Sequence, residues 1–326
     1  TLAQVAPFLS IFLYLAMRCA LLLAAAHAAP KTVILNNGVE MPLLSLGTAG
    51  FDDAASEEAV KLAYNAGIRA IDTAFNYYNQ KGVGRGLKAV NRSEVFLITK
   101  TTPCYHPQAP PKYNISNPIE CGLQTEKDIL SNLEQLQEDY IDLLLLHGPN
   151  HFGAGSCTKE TCALDAAQWA VYEAMLKKGK VRAIGVSNYC SSCLSCLMGD
   201  GRVTPAVNQV EFHPGMSGDP EGIMSFCSKY SVVPMAYSPM GGGAVFSDPF
   251  VGGIAKAHNK TAAQVALNWI LAKEFAVATK TNSPQHLQED LDVFDWALSS
   301  DETGALDAYR NGTDKPSWGC SDVALV

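Results

Sequence analysis

No run of lysine or arginine longer than the pair Lys177-Lys178 occurs in the 326 residues, and the formal net charge is −8. Such a chain lacks the basic footprint that a phosphate backbone demands, which argues against nucleic acid as a partner. Low-complexity segments are missing, and no repeat is visible beyond alternating strand-like and helix-like stretches. Glycine and proline are scattered, so no interdomain linker stands out. Charged residues make up only 17%, against 48% hydrophobic, enough apolar material for one large α/β domain or two small ones. Also lacking is a Gly-rich phosphate turn after an early strand, the signature expected of a doubly wound open sheet. Gly82, Gly84 and Gly86 form a glycine run on a helix and read as helix–sheet packing positions instead.

Residues 1–29 are different in kind. They hold no acidic residue and one arginine, and are otherwise mostly Ala, Leu, Phe and Ile. Met17-Arg18, the apolar run that follows and Ala26-His27-Ala28 resemble a secretory signal peptide, with Met17 as the expected start and Thr1–Ala16 upstream of it. The combined stretch is long enough to span a bilayer, but Arg18 in its middle disfavours an anchor. The expected organisation is therefore a presequence over 1–29 and a folded domain over 30–326. The mature protein is expected in the secretory pathway, secreted or in an organelle lumen, without stable membrane insertion; it is expected in the cytoplasm if the presequence is not used. Four glycosylation sequons, at Asn91, Asn114, Asn259 and Asn311, agree with that route. So does the cysteine usage: nine of the ten cysteines remain once Cys19 is removed. An odd number leaves at least one thiol unpaired within a monomer.

After the presequence, Thr32–Leu35 and Val39–Leu43 flank Asn36-Asn37-Gly38 and predict a β-hairpin with Asn-Gly as its turn signal. Eight short, apolar, often β-branched segments follow, at Leu44–Gly47, Ile68–Asp72, Val95–Lys100, Ile141–His147, Val181–Ser187, Ala206–Val210, Val232–Tyr237 and Ala276–Thr279. They read as strands buried on both faces. Amphipathic stretches lie between them, with Ile129, Leu133 and Leu136 on one face and Leu164, Ala167, Val171 and Met175 on another. Thr261 and Gln264 form a capping box before Val265, Ala266, Trp269 and Ile270, and Ser283-Pro284 opens a further helix. Eight strand–helix units of this length predict an α/β fold, a (β/α)8 TIM barrel with an N-terminal β-hairpin.

In such a barrel the C-terminal strand ends meet on one rim. Asp72 stands where one strand stops, and Tyr77 follows in the loop; the next two strands end at Lys100 and His147. Singly, each has a structural explanation, as a solvated lysine or a hydrogen-bonded core histidine. Together they make chemical sense. A phenol has a pKa near 10; an adjacent ammonium stabilises its anion, a carboxylate keeps the ammonium charged and aimed, and a neutral imidazole can orient a carbonyl oxygen. That is a proton-donating site for carbonyl reduction, wanting only a hydride source.

These residues sit in motifs that resemble the aldo-keto reductase family from Lys31 to about Asp301. The motifs are GIRAIDTAFNYYNQKGVG, VFLITK, YIDLLLLHGP, VRAIGVSNY, PAVNQVEFHP, PMAYSPMG and ATKTNSPQHLQEDLDVFD. The resemblance implies a catalytic tetrad of Asp72, Tyr77, Lys100 and His147, with Tyr77 as general acid. It implies that Ser187, Asn188 and Gln209 hydrogen-bond a nicotinamide carboxamide and that Tyr237 stacks on its ring. Ser238, Met240 and Gly241–Gly243 would cover the pyrophosphate, Lys280, Thr281 and Asn282 would hold the 2′-phosphate, and Glu289 the adenine. A helix N-terminus at Ser283-Pro284 beside Lys280 is by itself a plausible anion site. The implied cofactor is NADPH, with NADH possible, and the partner a small-molecule carbonyl substrate met by a monomer. No metal is implied.

Departures from the family pattern carry expectations of their own. His286 stands in place of a phosphate-clamping arginine, and Asp290 adds negative charge nearby. Ala49 and Gly148 replace tryptophans that are common there, which should reshape the pocket unless Phe51, Tyr78 or Phe152 refills it. Cys104 with Cys121 and Cys157 with Cys162 are expected to form disulfides that stiffen the pocket entrance. Cys190, Cys193 and Cys196 read as small buried cysteines on a helix rather than a metal site. The competing functional reading is a non-catalytic nucleotide-binding or regulatory protein on the same scaffold.

Overall fold

The computed structural model describes residues 31–106, 112–150, 157–199 and 201–312. Residues 1–29, expected to be a presequence, and Phe152 lie outside the described residues. Strands β1 (Thr32–Ile34) and β2 (Glu40–Pro42) form the expected hairpin, turned at Gly38, whose φ of 83° suits a residue without Cβ.

Eight parallel strands then close into a barrel. They are β3 (Leu44–Gly47), β4 (Ala70–Asp72), β5 (Phe96–Thr101), β8 (Ile141–Leu146), β9 (Val181–Ser187), β10 (Val207–Glu211), β11 (Val233–Tyr237) and β12 (Ala276–Thr279). A two-stranded ribbon, β6 (Tyr105–His106) with β7 (Tyr113–Asn114), projects after β5. The ring closes through β12 back onto β3, with Thr279 opposite Leu46, and β8 pairs with β5 on one side and β9 on the other. All six residues of β5 and all six of β8 are buried, the burial on both faces that helix-covered parallel strands require.

The helices form where sequence signals start them. Thr261 and Gln264 make the reciprocal capping box before Ala262–Leu271, and Ser283 caps Pro284–Leu291. Ile129, Leu133 and Leu136 of Pro118–Leu136 are buried as expected. The helix Lys159–Lys177 is rotated from expectation: Ala167 and Val171 are only half-buried, while Asp165, Gln168, Trp169 and Tyr172 join Leu164 and Met175 inside. Polar Asp165 and Gln168 can be inside because partners wait there. Asn150 donates to Asp165, and Gln168 donates to the Thr102 carbonyl and the Thr125 hydroxyl.

Gly82, Gly84 and Gly86 do serve packing, but against helices rather than the sheet. A Cβ on any of them would collide with the backbone of Asp53, the carbonyl of Leu136 or the side chain of Val60. At the opposite end of the barrel from the cleft, Asp142 on β8 accepts hydrogen bonds from Arg92, Arg182 and the Leu97 amide, locking three strands together at their N-terminal side. Among the described residues, no helix is long and apolar enough to cross a membrane.

The cysteines pair differently from expectation. Cys104 bonds Cys121, as predicted, tying the chain after β5 to Pro118–Leu136. Cys157 does not bond Cys162. Cys157 bonds Cys193 and Cys162 bonds Cys196, with Cα separations of 5.1 and 5.3 Å. The reason is the helix cap at Thr158: Cys157 precedes it and Cys162 lies one turn inside, so both meet the neighbouring Cys190–Cys196 segment instead of each other. Cys193 and Cys196 are accordingly half-cystines rather than ordinary buried thiols. Cys190 and Cys227 lie outside these three bonds.

Candidate functional site

The strand ends open onto a cleft of about 1010 Å³. Asp72 is the last residue of β4, Lys100 the penultimate residue of β5, and His147 follows β8 directly. Tyr77 closes a single 3-10 turn, Phe75–Tyr77. All but Lys100 line the cleft, and Lys100 lies just beneath, fully buried.

Lys100 Nζ donates to Asp72 Oδ1 at 2.6 Å, to the Thr73 carbonyl at 2.9 Å and to the Tyr77 hydroxyl at 3.5 Å. Burial opposes the ammonium, but the charge of Asp72 and the hydroxyl of Tyr77 outweigh it, and the lysine is held above its ordinary value. The Tyr77 phenol behaves otherwise than the sequence reading expects. Burial pushes it up, Lys100 pulls it down, Asp72 pushes it up again, and the balance lies above the usual tyrosine value. Tyr77 therefore keeps its proton at neutral pH, and the nearby ammonium limits the cost of giving it up.

The loop carrying Tyr77 is pinned from below by a residue that sequence reading missed. Asn79 is fully buried; its amide donates to the carbonyls of Thr48 and Phe51, and its oxygen accepts from the Thr73 hydroxyl. Its place two residues after Tyr77 was visible, but not its role, because hydrogen bonds across 31 positions leave no local trace. Tyr78, next to it, takes a left-handed φ of 57° and points outward. His147 meets the edge of Tyr77 at 5.6 Å between ring centres, and its Nδ1 lies 2.8 Å from the side-chain amide of Asn76.

The residues implied for the cofactor lie along the same cleft. Gln209 donates from Nε2 to Asp72 Oδ2 at 2.8 Å. Ser187 donates to the Gln209 carbonyl, and Asn188, at a left-handed φ of 61°, donates to the His147 carbonyl and accepts from the Tyr237 hydroxyl. Beyond them run Ser238, Met240, Lys280, Thr281 and Glu289. Asn282 is exposed next to Thr281 but does not line the cleft. Gly241–Gly243 form a tight turn with φ of 55°, 63° and 107°, backbone that only glycine adopts three times in succession.

At the far end Lys280 lies exposed over the Phe51 ring, Ser283 caps its helix through the His286 amide, and His286 Nδ1 lies 3.4 Å from Thr281 Oγ1. These donors, a lysine, hydroxyls and a helix N-terminus, fit a phosphate. Asp290 lines the cleft at that same end, where it accepts from the Thr279 hydroxyl and burial pushes its carboxyl up to about 6.

Of the anticipated pocket changes, Ala49 lines the cleft, whereas Gly148 is buried behind it. Tyr78 points to solvent and Phe51 sits under Lys280. A further aromatic at the cleft, beside Tyr77 and Tyr237, is Phe246, which the sequence reading missed although it follows the glycine turn. Thr102 and Pro103 also line it. Among the described residues there is no cluster of three or more His, Cys, Asp or Glu able to hold a metal.

Comparison with known proteins agrees with this architecture. An aldo-keto reductase of Mycolicibacterium vanbaalenii is 36% identical over 289 residues, 88% of this chain and 94% of that protein. Glyoxal reductase of Bacillus subtilis is 35% identical over 282 residues, 86% of this chain and 92% of that protein. The crystal structure of an aldo/keto reductase from Brucella melitensis matches with a TM-score of 0.73 at 30% identity, covering 86% of this chain and 98% of that one. A mutant of Gox0644 in complex with NADPH matches with a TM-score of 0.74 at 30% identity, covering 89% and 96%. Residues 43–249 match the model of the Aldo/keto reductase family, and the chain belongs to that family.

Proposed function

We propose that this protein reduces an aldehyde or ketone to the corresponding alcohol with NADPH, using Tyr77 as the proton donor. The observation that carries the reading is the buried contact set on one cleft floor: Lys100 Nζ 2.6 Å from Asp72 and 3.5 Å from the Tyr77 hydroxyl, with His147 beside it. The nicotinamide, when bound, supplies a hydride to the carbonyl carbon. Tyr77 gives its phenolic proton to the carbonyl oxygen. Lys100, kept charged by Asp72, stabilises the phenolate left behind, and His147 orients the oxygen by a ring N–H. Ser187, Asn188, Gln209 and Tyr237 would hold the nicotinamide end; Ser238, Met240 and the glycine turn the pyrophosphate; Lys280, Thr281 and Asn282 the 2′-phosphate, and Glu289 the adenine. Lys280 and the Ser283 cap support NADPH over NADH.

Three disulfides support an oxidising compartment, and with it a secretory role for residues 1–29. Asn114 and Asn259 are the sequon asparagines that face solvent without side-chain engagement among the described residues, whereas Asn91 and Asn311 spend their amides on Glu94 and Asp248. The decisive experiment follows NADPH oxidation at 340 nm with a panel of aldehydes, on the wild type and on Tyr77→Phe. Turnover should be lost in the variant by about 10³-fold or more while NADPH affinity stays within about twofold, the pattern of a group acting only in the transition state. Comparable turnover in Tyr77→Phe refutes the acid assignment.

A further inference from the structure

Tyr77, Lys100 and Asp72 are tied to one another, but the histidine is held by a residue the tetrad does not include. Asn76 lies in the same 3-10 turn as Tyr77 and lines the cleft. Its side-chain amide ends 2.8 Å from His147 Nδ1, placed there as Oδ1. The two ends of an amide have the same shape, so the hydrogen-bond network decides which faces the ring. Among the described residues no other hydrogen bond of the Asn76 side chain fixes that choice.

The chemistry fixes it. A neutral imidazole carries one proton, and whichever nitrogen holds it leaves the other as an acceptor. If Asn76 offers its oxygen, Nδ1 carries the proton and Nε2 turns a lone pair toward a carbonyl oxygen, which repels it. If Asn76 offers Nδ2–H, Nδ1 is the acceptor and Nε2–H is the donor that a carbonyl needs. Tyr77, Lys100, Asp72 and Asn188 do not set the tautomer: Tyr77 meets the ring edge-on at 5.6 Å, Lys100 and Asp72 lie beyond Tyr77, and the neutral side chain of Asn188 donates to the His147 carbonyl.

We propose that Asn76 is a positioning residue for carbonyl reduction: its amide N–H on Nδ1 holds His147 in the tautomer that presents Nε2–H to the substrate oxygen. This rests on the reductase reading of the same cleft. By placing Asn76 next to Tyr77, the sequence puts the acid and the group that sets the second hydrogen-bond donor on one turn, so both move together.

Two readouts test it. In ¹⁵N-histidine-labelled protein without cofactor or substrate, Nδ1 of His147 should resonate as an unprotonated nitrogen and Nε2 as a protonated one. Asn76→Leu should release the tautomer ratio toward that of free imidazole. Asn76→Asp, of nearly unchanged shape, should favour Nδ1–H and the imidazolium and raise the ring's pKa by about one or more. With NADPH and an aldehyde, kcat/KM should fall about tenfold or more in Asn76→Leu, with the NADPH dissociation constant unchanged. In Asn76→Asp only the imidazolium presents Nε2–H, so kcat/KM should fall as pH rises through the ring titration read by NMR, a limb at lower pH than any in the wild type. A protonated Nδ1 in the wild type, or variants with wild-type tautomer and kcat/KM, overturns the proposal. Absence of wild-type turnover with every aldehyde overturns the reductase reading and the role given to His147 with it, a result separable from the NMR on unliganded protein.

Discussion

The pair formed by Lys100 and Asp72 makes a quantitative demand on stability. The lysine side chain is 0% exposed and the aspartate side chain 5%. Lys100→Met keeps the length of the side chain and deletes the charge, leaving a buried carboxylate with Gln209 still donating to Oδ2. Breaking a buried pair from one side costs on the order of 3–5 kcal/mol, and the surviving Gln209 bond places this case toward the lower end. Asp72→Asn strands the ammonium on the Thr73 carbonyl and the Tyr77 hydroxyl and should cost a similar amount. The double variant has no buried charge to strand, so its loss should fall short of the sum by at least about 2 kcal/mol. Guanidinium unfolding at pH 7 on the four proteins reads this directly. Alkaline pH adds a second arm. The pKa of Lys100 is raised by folding, so its contribution is present below the unfolded value near 10.4 and is lost as pH climbs through the folded one. The gap between wild type and Lys100→Met should therefore narrow above about pH 10.5. Additive losses within about 0.5 kcal/mol would show that the pair is not coupled and would remove the basis for a charged lysine beside Tyr77.

Peptide mapping without reduction should return Cys104–Cys121, Cys157–Cys193 and Cys162–Cys196, and recovery of a Cys157–Cys162 peptide would refute the pairing. Replacing Cys104 and Cys121 together by serine opens a loop with a sequence separation of 17 and should lower stability by about 3 kcal/mol; a change below about 0.5 kcal/mol would show that the clip constrains nothing. Asp165 is pushed up to about 6 by burial, against hydrogen bonds from Asn150 and Tyr189, and Asp128 and Asp290 are also about 6. Each holds a proton in the folded state that the unfolded chain releases, so stability should rise as pH falls from about 6 to about 4. Asp165→Asn should remove its share of that rise, on the order of 3 kcal/mol at most; an unchanged pH slope would refute the assignment.

Much of the barrel was legible because its strands satisfy a one-dimensional rule. A segment such as Phe96–Thr101 is covered on both faces and buried along its whole length, and its apolar opening, Phe96–Ile98, announces this, while Thr99, Lys100 and Thr101 lie toward the cleft end. The observed strand ends differ from the sequence reading by one or two residues, as where β4 starts at Ala70 rather than Ile68 and β8 stops before His147. Asp72, Tyr77, Lys100 and His147 were legible for a related reason: strand ends are countable, and the barrel brings countable ends together. What failed was whatever depends on the angle at which neighbouring helices face each other. The rotated face of Lys159–Lys177 hid behind Asp165 and Gln168, polar residues that a hydrophobic-face rule assigns to solvent. The partners of Cys157 and Cys162 lie 36 and 34 residues away, across the next strand, so proximity along the chain pointed to the wrong bond. Asn76, Asn79 and Phe246 act through loop geometry that no periodicity encodes.

The contact between Gln209 and Asp72 shows why the site and the closed barrel are one object. Strands β4 and β10 lie four places apart in the ring of eight, on opposite sides of its mouth. Yet Nε2 of Gln209 reaches Asp72 Oδ2 at 2.8 Å, while Lys100 on the adjacent strand holds Oδ1. The carboxylate is thus gripped from a neighbour and from across the mouth, and its orientation depends on the ring closing in register. The same amide is the one assigned to the nicotinamide under the proposed function. Its nitrogen gives one hydrogen to Asp72 and the other to the Met235 sulfur at 3.2 Å, so the amide can serve the carboxamide with its oxygen without releasing the carboxylate. One side chain then joins the position of the hydride donor to the ion pair behind the proton donor. A barrel that failed to close would lose both together, and a loop rearrangement at the rim would disturb neither.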